Sequence, residues 1–351
     1  MSKWYPEFKK GLCPLTGKRV VITGTTSGTG FVAARTCAEL GAQVVLLNRP
    51  SERATKALKD LKEAVPNATY EAVDCDLMDF ASVRVAAKSL LDKFDSIDVL
   101  CNNAGVMALP DKATKDGYDV QMQTNHLSGF LLTKELYPLL LAAASKRGEA
   151  RIVNHSSMAR IGSPLDEKYL GKNGGNLGGD AVEEVPLRGP RWDRYHQSKL
   201  ANMVYTMCLK DKLAGTNIKA VVAHPGFANT SLQSTSVQAG GMDKDFHEGS
   251  KTMAQHMEDG AMGILRGIAG PNVESGDFYG PFAENPLSAF QGEAVKLEPE
   301  DICTDQGAKD MLWRMSSQAV GEFTISKDML WRMSSQAVGE FTISKDMLWR
   351  M

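Results

Sequence analysis

The chain has 351 residues, a formal net charge of −2 and 43% hydrophobic residues, enough for a substantial core. A nearly neutral chain lacks the basic surplus that would attract nucleic acid or an anionic membrane surface. The six cysteines and six histidines show neither a Cys-x-x-Cys pair nor metal-ligand spacing. We therefore expect reduced thiols, no bound metal and no nucleic-acid partner.

The sequence patterns predict neither a targeting signal nor a membrane span. No apolar run approaches the roughly 18 residues of a membrane span. The first ten residues contain no signal-peptide core. We expect a cytoplasmic protein without a membrane span, while organellar targeting stays open.

Short apolar runs alternate with helical patterns along most of the chain. The predicted strands are 19–23, 42–47, 69–73, 97–101, 151–154 and 218–223. The predicted helices are 31–40, 51–64, 80–94, 118–145 and 192–214. This alternation implies right-handed crossovers and a parallel sheet. It predicts an α/β protein with a doubly wound Rossmann fold, helices covering both faces of the sheet.

No linker divides this pattern, so we predict one domain over residues 15–322 after an N-terminal extension, 1–14. Residues 158–194 are glycine-rich and residues 231–255 are polar, and loops of this length are usually functional or disordered. We interpret the first as a substrate-site insertion and the second as a lid, with Met242 and Met253 as an adaptable apolar lining. Ordinary surface packing is the alternative.

The tail carries an internal repeat. Residues 309–326 recur unchanged as 327–344, and 345–351 begin a third copy. Perfect identity favours a recent duplication or a gene-assembly error over an oligomerisation or docking tail. Leu312, Met315 and Val320 can form one apolar helix face, so we expect the first copy to pack and the later copies to be peripheral or flexible. We assign residues 323–351 to a duplicated C-terminal tail.

A glycine-rich turn follows the first predicted strand. Glycines there allow a tight turn and close approach to a pyrophosphate, whose charge the following helix N-terminus favours. An ordinary glycine turn is the alternative. The candidate cofactor residues are Gly24, Thr26, Ser27, Gly28, Thr29 and Gly30.

The second strand ends at Asn48 and Arg49, where an NAD site usually has an acidic residue. Arg49, helped by Arg53, can instead pair with a 2′-phosphate, although a solvated loop arginine has the same sequence. We therefore favour NADP (NADPH) over NAD as the cofactor.

Polar residues follow the next two strands. Asp76, beside Leu77, can accept a hydrogen bond from an adenine amine or act as a helix N-cap. Asn103, Ala104 and Gly105 lie at the carboxyl edge of the sheet, where ligands bind in such folds.

Tyr195 and Lys199 are one helical turn apart and point the same way. A nearby ammonium favours the phenolate and lowers the pKa of the phenol, about 10 when free. Such a tyrosine can pass a proton near neutral pH. Beside a dinucleotide site, this pair predicts carbonyl–alcohol redox chemistry.

The ordered motifs resemble the short-chain dehydrogenase/reductase superfamily over roughly residues 15–322. They are Thr-Gly-x-x-x-Gly-x-Gly, Asn-Asn-Ala-Gly, Asn, Ser, Tyr-x-x-x-Lys and Pro-Gly. Arg49 and the segments 125–127, 198–202 and 224–226 resemble its retinol-dehydrogenase-like branch. Thr29 departs from the pattern, because an aliphatic residue is usual at that position.

The resemblance implies a role for each matching residue. Tyr195 would be the general acid or base, Lys199 would lower its pKa and bind the nicotinamide ribose, and Ser157 would hold the substrate carbonyl. Asn125 would bend the long helix and hold a relay water. The nicotinamide carboxamide would lie against Pro225, Gly226 and Thr230.

The resulting hypothesis is an NADP-dependent oxidoreductase acting on a small-molecule carbonyl or alcohol, with a lipophilic substrate. The alternative is a catalytically weak NADP(H)-sensing scaffold of the same fold. The resemblance also implies a homodimer or homotetramer formed through the two long helices.

Overall fold

A computed structural model describes residues 1–181, 183, 185–285 and 288–325. Its eight strands form one sheet in the order β3-β2-β1-β4-β5-β6-β7-β8. All neighbouring pairs are parallel except β7 with β8. The strands are β1 Arg19–Thr23, β2 Gln43–Asn48, β3 Tyr70–Asp74, β4 Val99–Asn102, β5 Ala150–His155, β6 Ile218–Ala223, β7 Phe278–Gly280 and β8 Val295–Leu297.

Helices cover both faces of this sheet. They are α1 Tyr5–Lys10, α2 Gly28–Glu39, α3 Glu52–Ala64, α4 Phe80–Lys93, α5 Val120–Met122, α6 Ser128–Arg147, α7 Pro190–Lys212, α8 Ser231–Gln238, α9 Lys244–Ser250, α10 Met257–Ala269, α11 Asp301–Thr304 and α12 Gln306–Val320. A π-helical turn, Gln123–Leu127, joins α5 to α6. Short 3₁₀ turns lie at Met158–Arg160, Glu167–Tyr169 and Lys251–Met253.

The predicted doubly wound fold is confirmed. The order in which strands are added to the sheet reverses between β1 and β4, so the carboxyl ends of these two parallel strands frame a crevice. The central strands are almost fully buried, as expected for a parallel sheet covered on both sides. One hydrophobic core lies under α4, α6 and α7, and another under α2 and α10.

The predicted lid segment, 231–255, and the stretch after it contain more regular structure than predicted. The lid segment forms α8 and α9 rather than an irregular polar loop. Helix α10 was not predicted, since three glycines lower its helix propensity. One of them allows close packing on the sheet: a Cβ on Gly267 would lie 2.9 Å from Val153.

The first copy of the repeat packs on the core, as predicted. Leu312 and Val320 are buried and Met315 is partly buried against the same cluster. Trp313 contacts Phe130 of α6 with a centroid separation of 5.1 Å and Phe323 at 5.4 Å. The later copies, 327–344 and 345–351, lie outside the described residues.

The expected absence of a membrane span is not confirmed, because one helix meets the length and hydropathy of a span. The continuous helical segment Val120–Arg147 is long and apolar enough to cross a membrane, with a mean hydropathy of 1.3 over its most apolar window. That window is 83% buried inside the fold. The core helix of a globular protein has the same composition, so this helix is only weak support for a membrane span.

Candidate active site

The glycine turn joins β1 to α2 and has the geometry of a phosphate cradle. Gly24 and Gly28 adopt φ values of +72° and +60°, which strongly favour glycine. A Cβ on Gly30 would lie 2.2 Å from the Gly24 carbonyl oxygen. Ser27 is the N-cap of α2 but makes no side-chain capping bond. The first amides of α2 therefore lack a side-chain cap and fit a cofactor pyrophosphate; Thr26 and Thr29 lie in the same turn.

Asn48 and Arg49 have different surroundings. The Asn48 amide accepts from the Thr25 backbone N–H at 2.8 Å and donates to its hydroxyl at 2.8 Å, which fixes the glycine turn to the end of β2. Arg49 is exposed and has no side-chain partner among the described residues. Arg53 donates to Ser27 Oγ at 3.1 Å. Two cations thus flank the turn, and Arg49 is available to an anion.

Asp76 folds back onto its own turn. Its carboxylate accepts from the Met78 backbone N–H at 3.0 Å. The N-cap of α4 is Asp79, not Asp76, so the alternative reading of Asp76 as a helix cap was wrong. The Leu77 carbonyl accepts from Ser128 Oγ at 2.6 Å, which ties this loop to α6.

Asn103 anchors the floor of the site. Its Nδ2 donates to the carbonyls of Thr23 and Gly24 at 2.9 and 3.1 Å. Its Oδ1 then accepts from the hydroxyl of Thr29 at 3.1 Å and lies 2.9 Å from His155 Nδ1. Because that oxygen only accepts, His155 carries its proton on Nδ1. The amide therefore joins the glycine turn, α2 and the end of β5.

This network explains the unusual threonine and adds a residue that the sequence analysis missed. Thr29 supplies a hydroxyl that donates to Asn103 Oδ1, which an aliphatic side chain could not do. Burial lowers the pKa of His155 to about 3, so its ring stays neutral. Ala104 lies against Gly24, and its N–H donates to Thr23 Oγ1 at 3.0 Å.

Tyr195 and Lys199 lie on one face of α7, and both are buried. Lys199 Nζ is 5.9 Å from the centre of the Tyr195 ring and donates to the His155 carbonyl at 3.0 Å. A Cβ on Gly105 would lie 3.1 Å from the same Nζ, so the glycine leaves room for the ammonium.

Burial decides the ionisation of both groups. It raises the pKa of Tyr195 to about 12, opposed by a hydrogen bond from Ser157. It lowers the pKa of Lys199 to about 8. The sequence predicted a lowered pKa for the phenol; its pKa is instead raised, because desolvation of the phenolate outweighs the hydrogen bond from Ser157. At neutral pH the phenol holds its proton and the lysine its charge.

Asn125 lies in the π-helical turn before α6, the place where a bend was expected. Its amide is paired with the Val106 backbone in both directions, accepting at 2.7 Å and donating at 2.9 Å. It also donates to Ser198 Oγ at 2.8 Å. Ser198 in turn donates to the Tyr195 carbonyl at 2.7 Å, so Asn125 is coupled to the first turns of α7.

Ser157 begins the 3₁₀ turn Met158–Arg160 directly after β5. Its Oγ accepts from the Ala159 N–H at 3.1 Å, and its hydroxyl hydrogen is free to donate to Tyr195. On the opposite wall, Gly226 has a φ of +61° and a Cβ there would lie 2.4 Å from the Phe290 carbonyl oxygen. Thr230 caps α8 and faces Gly28, and the Pro225 carbonyl accepts from Gln255 at 2.6 Å.

The insertion is anchored by a buried arginine that sequence reasoning missed. Arg194 is fully buried and donates to the carbonyls of Leu177 and Gly179 at 3.0 and 2.9 Å. Its guanidinium lies 3.3–3.6 Å from three carboxylates, those of Asp111, Asp119 and Asp180. Burial raises the pKa of Asp119 to about 6 despite this arginine. These acids are scattered in the sequence, so no motif could have revealed the cluster.

Part of the predicted lid segment packs beside Tyr195. Met107, Ala108, Tyr195 and Met242 form one buried apolar cluster. Trp192 packs edge-on against Tyr195 at 5.8 Å and donates to the Gly241 carbonyl at 2.9 Å. Met253 is 44% exposed and is not in that cluster, so only one of the two methionines expected there takes part.

A cavity of about 540 Å³ lies beside the glycine turn, and its lining includes Ser27, Gly28, Thr230 and His256. A second cavity of about 590 Å³ lies under the insertion, between residues 163–169 and the start of α7.

Known proteins with similar sequences agree with this arrangement. The sequence pattern of the short chain dehydrogenase family matches residues 18–169. A short-chain dehydrogenase/reductase of Armillaria gallica is 37% identical over 224 residues, covering 62% of this chain and 68% of the relative. The chain belongs to the short-chain dehydrogenase/reductase family.

Within the family, this short-chain dehydrogenase falls in the retinol-dehydrogenase-like branch. Human retinol dehydrogenase 13 is 33% identical over 226 residues, or 63% of each chain. The chain therefore spans less than two thirds of the length of that relative. A solved structure of an uncharacterized protein from Mycobacterium paratuberculosis superposes with a TM-score of 0.69 at 30% identity, covering 90% of this chain and 98% of that one.

Proposed function

We propose that this chain is an NADP-dependent oxidoreductase that interconverts an aldehyde or ketone with the corresponding alcohol. The observation that carries the proposal is the group formed by the half-buried Ser157 and the buried Tyr195 and Lys199 beside the glycine turn. A proton donor, a second hydroxyl donor and a cation converge at the carboxyl edge of the sheet. When bound, the nicotinamide would supply or accept the hydride.

Each residue would have a distinct task. In reduction, the Tyr195 phenol donates its proton to the carbonyl oxygen, and the high pKa of about 12 keeps that proton in place until then. Ser157 donates a hydrogen bond to the same oxygen and stabilises developing negative charge. Lys199 holds the cofactor ribose and compensates the phenolate left behind. Asn125 fixes the start of α7 through Ser198. It would also hold a water on the proton path, as the family resemblance implies.

The preference for NADP rests on the end of β2. Arg49 is exposed there without a protein partner among the described residues, and Arg53 reaches the glycine turn. A guanidinium suits the bidentate recognition of a 2′-phosphate. The apolar cluster of Met107, Met242 and Tyr195, with Trp192 beside it, favours a lipophilic substrate, in keeping with relatives named retinol dehydrogenases.

The first test is a fluorescence titration of the purified protein with NADPH and, separately, NADH. We expect a preference for NADPH that Arg49→Ala reduces about tenfold or more, since a charge-assisted hydrogen bond contributes about 1.5–3 kcal/mol. Lys88→Ala, which removes an exposed cation on α4, is the matched control. A preference for NADH would contradict the assignment of Arg49, and binding of neither would contradict both the oxidoreductase and the NADP(H)-sensing scaffold.

The second test is turnover of a carbonyl panel that includes all-trans-retinal and smaller aldehydes and ketones. Tyr195→Phe should lower kcat about 10²–10⁴-fold without weakening NADPH binding. Unchanged turnover in this variant would refute the role of the phenol.

A further inference from the structure

Arg160 lies three residues after Ser157, and its guanidinium is hydrogen-bonded inside the protein. It is 2% exposed. Its Nη1 donates to the Ser157 carbonyl at 3.1 Å, and its backbone N–H donates to the same oxygen at 3.2 Å. The guanidinium also lies over the Phe278 ring, 4.5 Å from its centre. The turn that presents Ser157 is therefore closed by both the main chain and the side chain of one residue.

The remaining donors of Arg160 reach a distant part of the chain. Its Nε and Nη2 donate to the two carboxylate oxygens of Glu300 at 2.9 and 2.5 Å. A fork of this kind fixes orientation as well as distance. Glu300 lies at the start of α11, where its carbonyl accepts from the Cys303 N–H at 2.8 Å. Both α11 and α12 pack against α7, the helix that carries Tyr195.

We propose that Arg160, held by Glu300, is a positioning residue for Ser157, so that the C-terminal segment α11–α12 sets the geometry of the reacting site. The proposal rests on the proposed function. The ion pair with Glu300 fixes Arg160, and Arg160 holds the Ser157 carbonyl in place. The Ser157 hydroxyl is thereby aimed at Tyr195 and the substrate oxygen. Without the Arg160 side chain, the Ser157 carbonyl keeps only the bond from the Arg160 backbone N–H among the described residues.

Ser157 is also the group whose hydrogen bond lowers the pKa of Tyr195. A displaced serine therefore has two consequences. The carbonyl oxygen loses a donor in the reduction. The phenolate loses a donor in the oxidation, so alcohol oxidation requires a higher pH.

The test compares Arg160→Met, Arg160→Lys and Glu300→Gln with the intact full-length chain. Lysine keeps the positive charge but cannot bond the Ser157 carbonyl and both Glu300 oxygens at once. The matched control is Arg314→Met, which breaks an exposed ion pair of α12, the Arg314–Glu167 pair at 3.1 Å. All variants are first shown to bind NADPH within about twofold of the wild type, which confirms that they fold.

The measured quantities are kcat and the pH profile with the carbonyl, and its alcohol, that the wild type converts fastest in the panel. We expect Arg160→Met to lower kcat about 100-fold, the scale of a misplaced reacting group. The alkaline shift of the oxidation profile should be about one pH unit. Arg160→Lys should not restore either, Glu300→Gln should give a smaller loss, and Arg314→Met should change neither.

Two failures are distinguishable. If the wild type turns over no carbonyl and binds no cofactor, the proposed function fails and this inference with it. If the wild type is active while Arg160→Met or Arg160→Lys keeps its kcat and pH profile, the positioning role alone is refuted. Equal losses in Arg160→Met and Arg314→Met would also refute it, because general loosening of the C-terminal segment would then explain both.

Discussion

The two sides of the candidate site are held together by different chemistry. On the cofactor side, neutral groups close to each other in the fold fix the glycine turn, chiefly the Asn103 amide and the Thr29 hydroxyl. On the substrate side, buried charges from segments distant in the sequence hold the structure together. Arg194 and Arg160 are both at most 2% exposed, and each pairs with carboxylates far away in sequence.

This difference predicts different sensitivities. A neutral amide network costs little to desolvate, and losing one of its bonds costs about 1 kcal/mol. A buried ion pair is expensive to break from one side, because the partner charge stays behind unpaired. Substitutions on the substrate side should therefore lower the free energy of unfolding, and substitutions on the cofactor side should mainly weaken cofactor binding.

Arg194→Met should have the largest effect. It leaves Asp111 and Asp119 buried without their cation, beside the partly exposed Asp180. We expect the free energy of unfolding in urea to fall by about 3–5 kcal/mol. Arg314→Met, which breaks an exposed pair, should cost less than about 1 kcal/mol. A loss of similar size in both variants would mean that the cluster around Arg194 is solvated.

The same contrast explains what the sequence could predict. Strands 19–23 and 218–223 and the glycine turn follow from local patterns, because each depends on neighbours in the sequence. Strand β7 has only three residues, and α10 contains Gly260, Gly263 and Gly267, so their stability comes from packing on the sheet. The Arg194 cluster and the Arg160–Glu300 pair depend on long-range contacts that no local pattern records.

Asp119 gives a pH dependence to the substrate side. Its pKa in the fold is raised to about 6 from 3.8. Between these values the folded state binds more protons than the unfolded state, so stability falls as pH rises from about 4 to 6. The shift corresponds to roughly 3 kcal/mol.

The measurement is the difference in unfolding free energy between the wild type and Asp119→Asn across this pH range. Asparagine keeps an oxygen that can accept from the Gln121 and Met122 N–H groups. The wild type should lose stability relative to the variant as pH rises, and parallel curves would show that Asp119 does not titrate in this window.

Gly30→Ala tests the fit of the cofactor side. The new Cβ would lie 2.2 Å from the Gly24 carbonyl oxygen and 2.3 Å from Asn103 Nδ2, so the turn must shift. Overpacking of this kind costs roughly 1–3 kcal/mol, and we expect NADPH affinity to fall about 10–100-fold. Gly249→Ala is the control, since a Cβ there meets nothing within 4 Å. Unchanged affinity for Gly30→Ala would show that the turn is not the phosphate cradle.

Thr29→Val should have the smallest effect and sharpens the comparison most. Valine keeps the shape of the threonine but removes the donor to Asn103 Oδ1, while His155 Nδ1 still donates to that oxygen at 2.9 Å. Because the acceptor keeps one partner, we expect a loss of about 1 kcal/mol or less in stability and a change of up to about fivefold in the Kd for NADPH. His155→Val should cost more on its own, because it also removes a buried ring. The double variant leaves the oxygen buried without a donor and should cost more than the sum of the two. Additive losses in this cycle would mean that the two donors do not share one acceptor, and that the floor of the cofactor site is held by Asn103 Nδ2 alone.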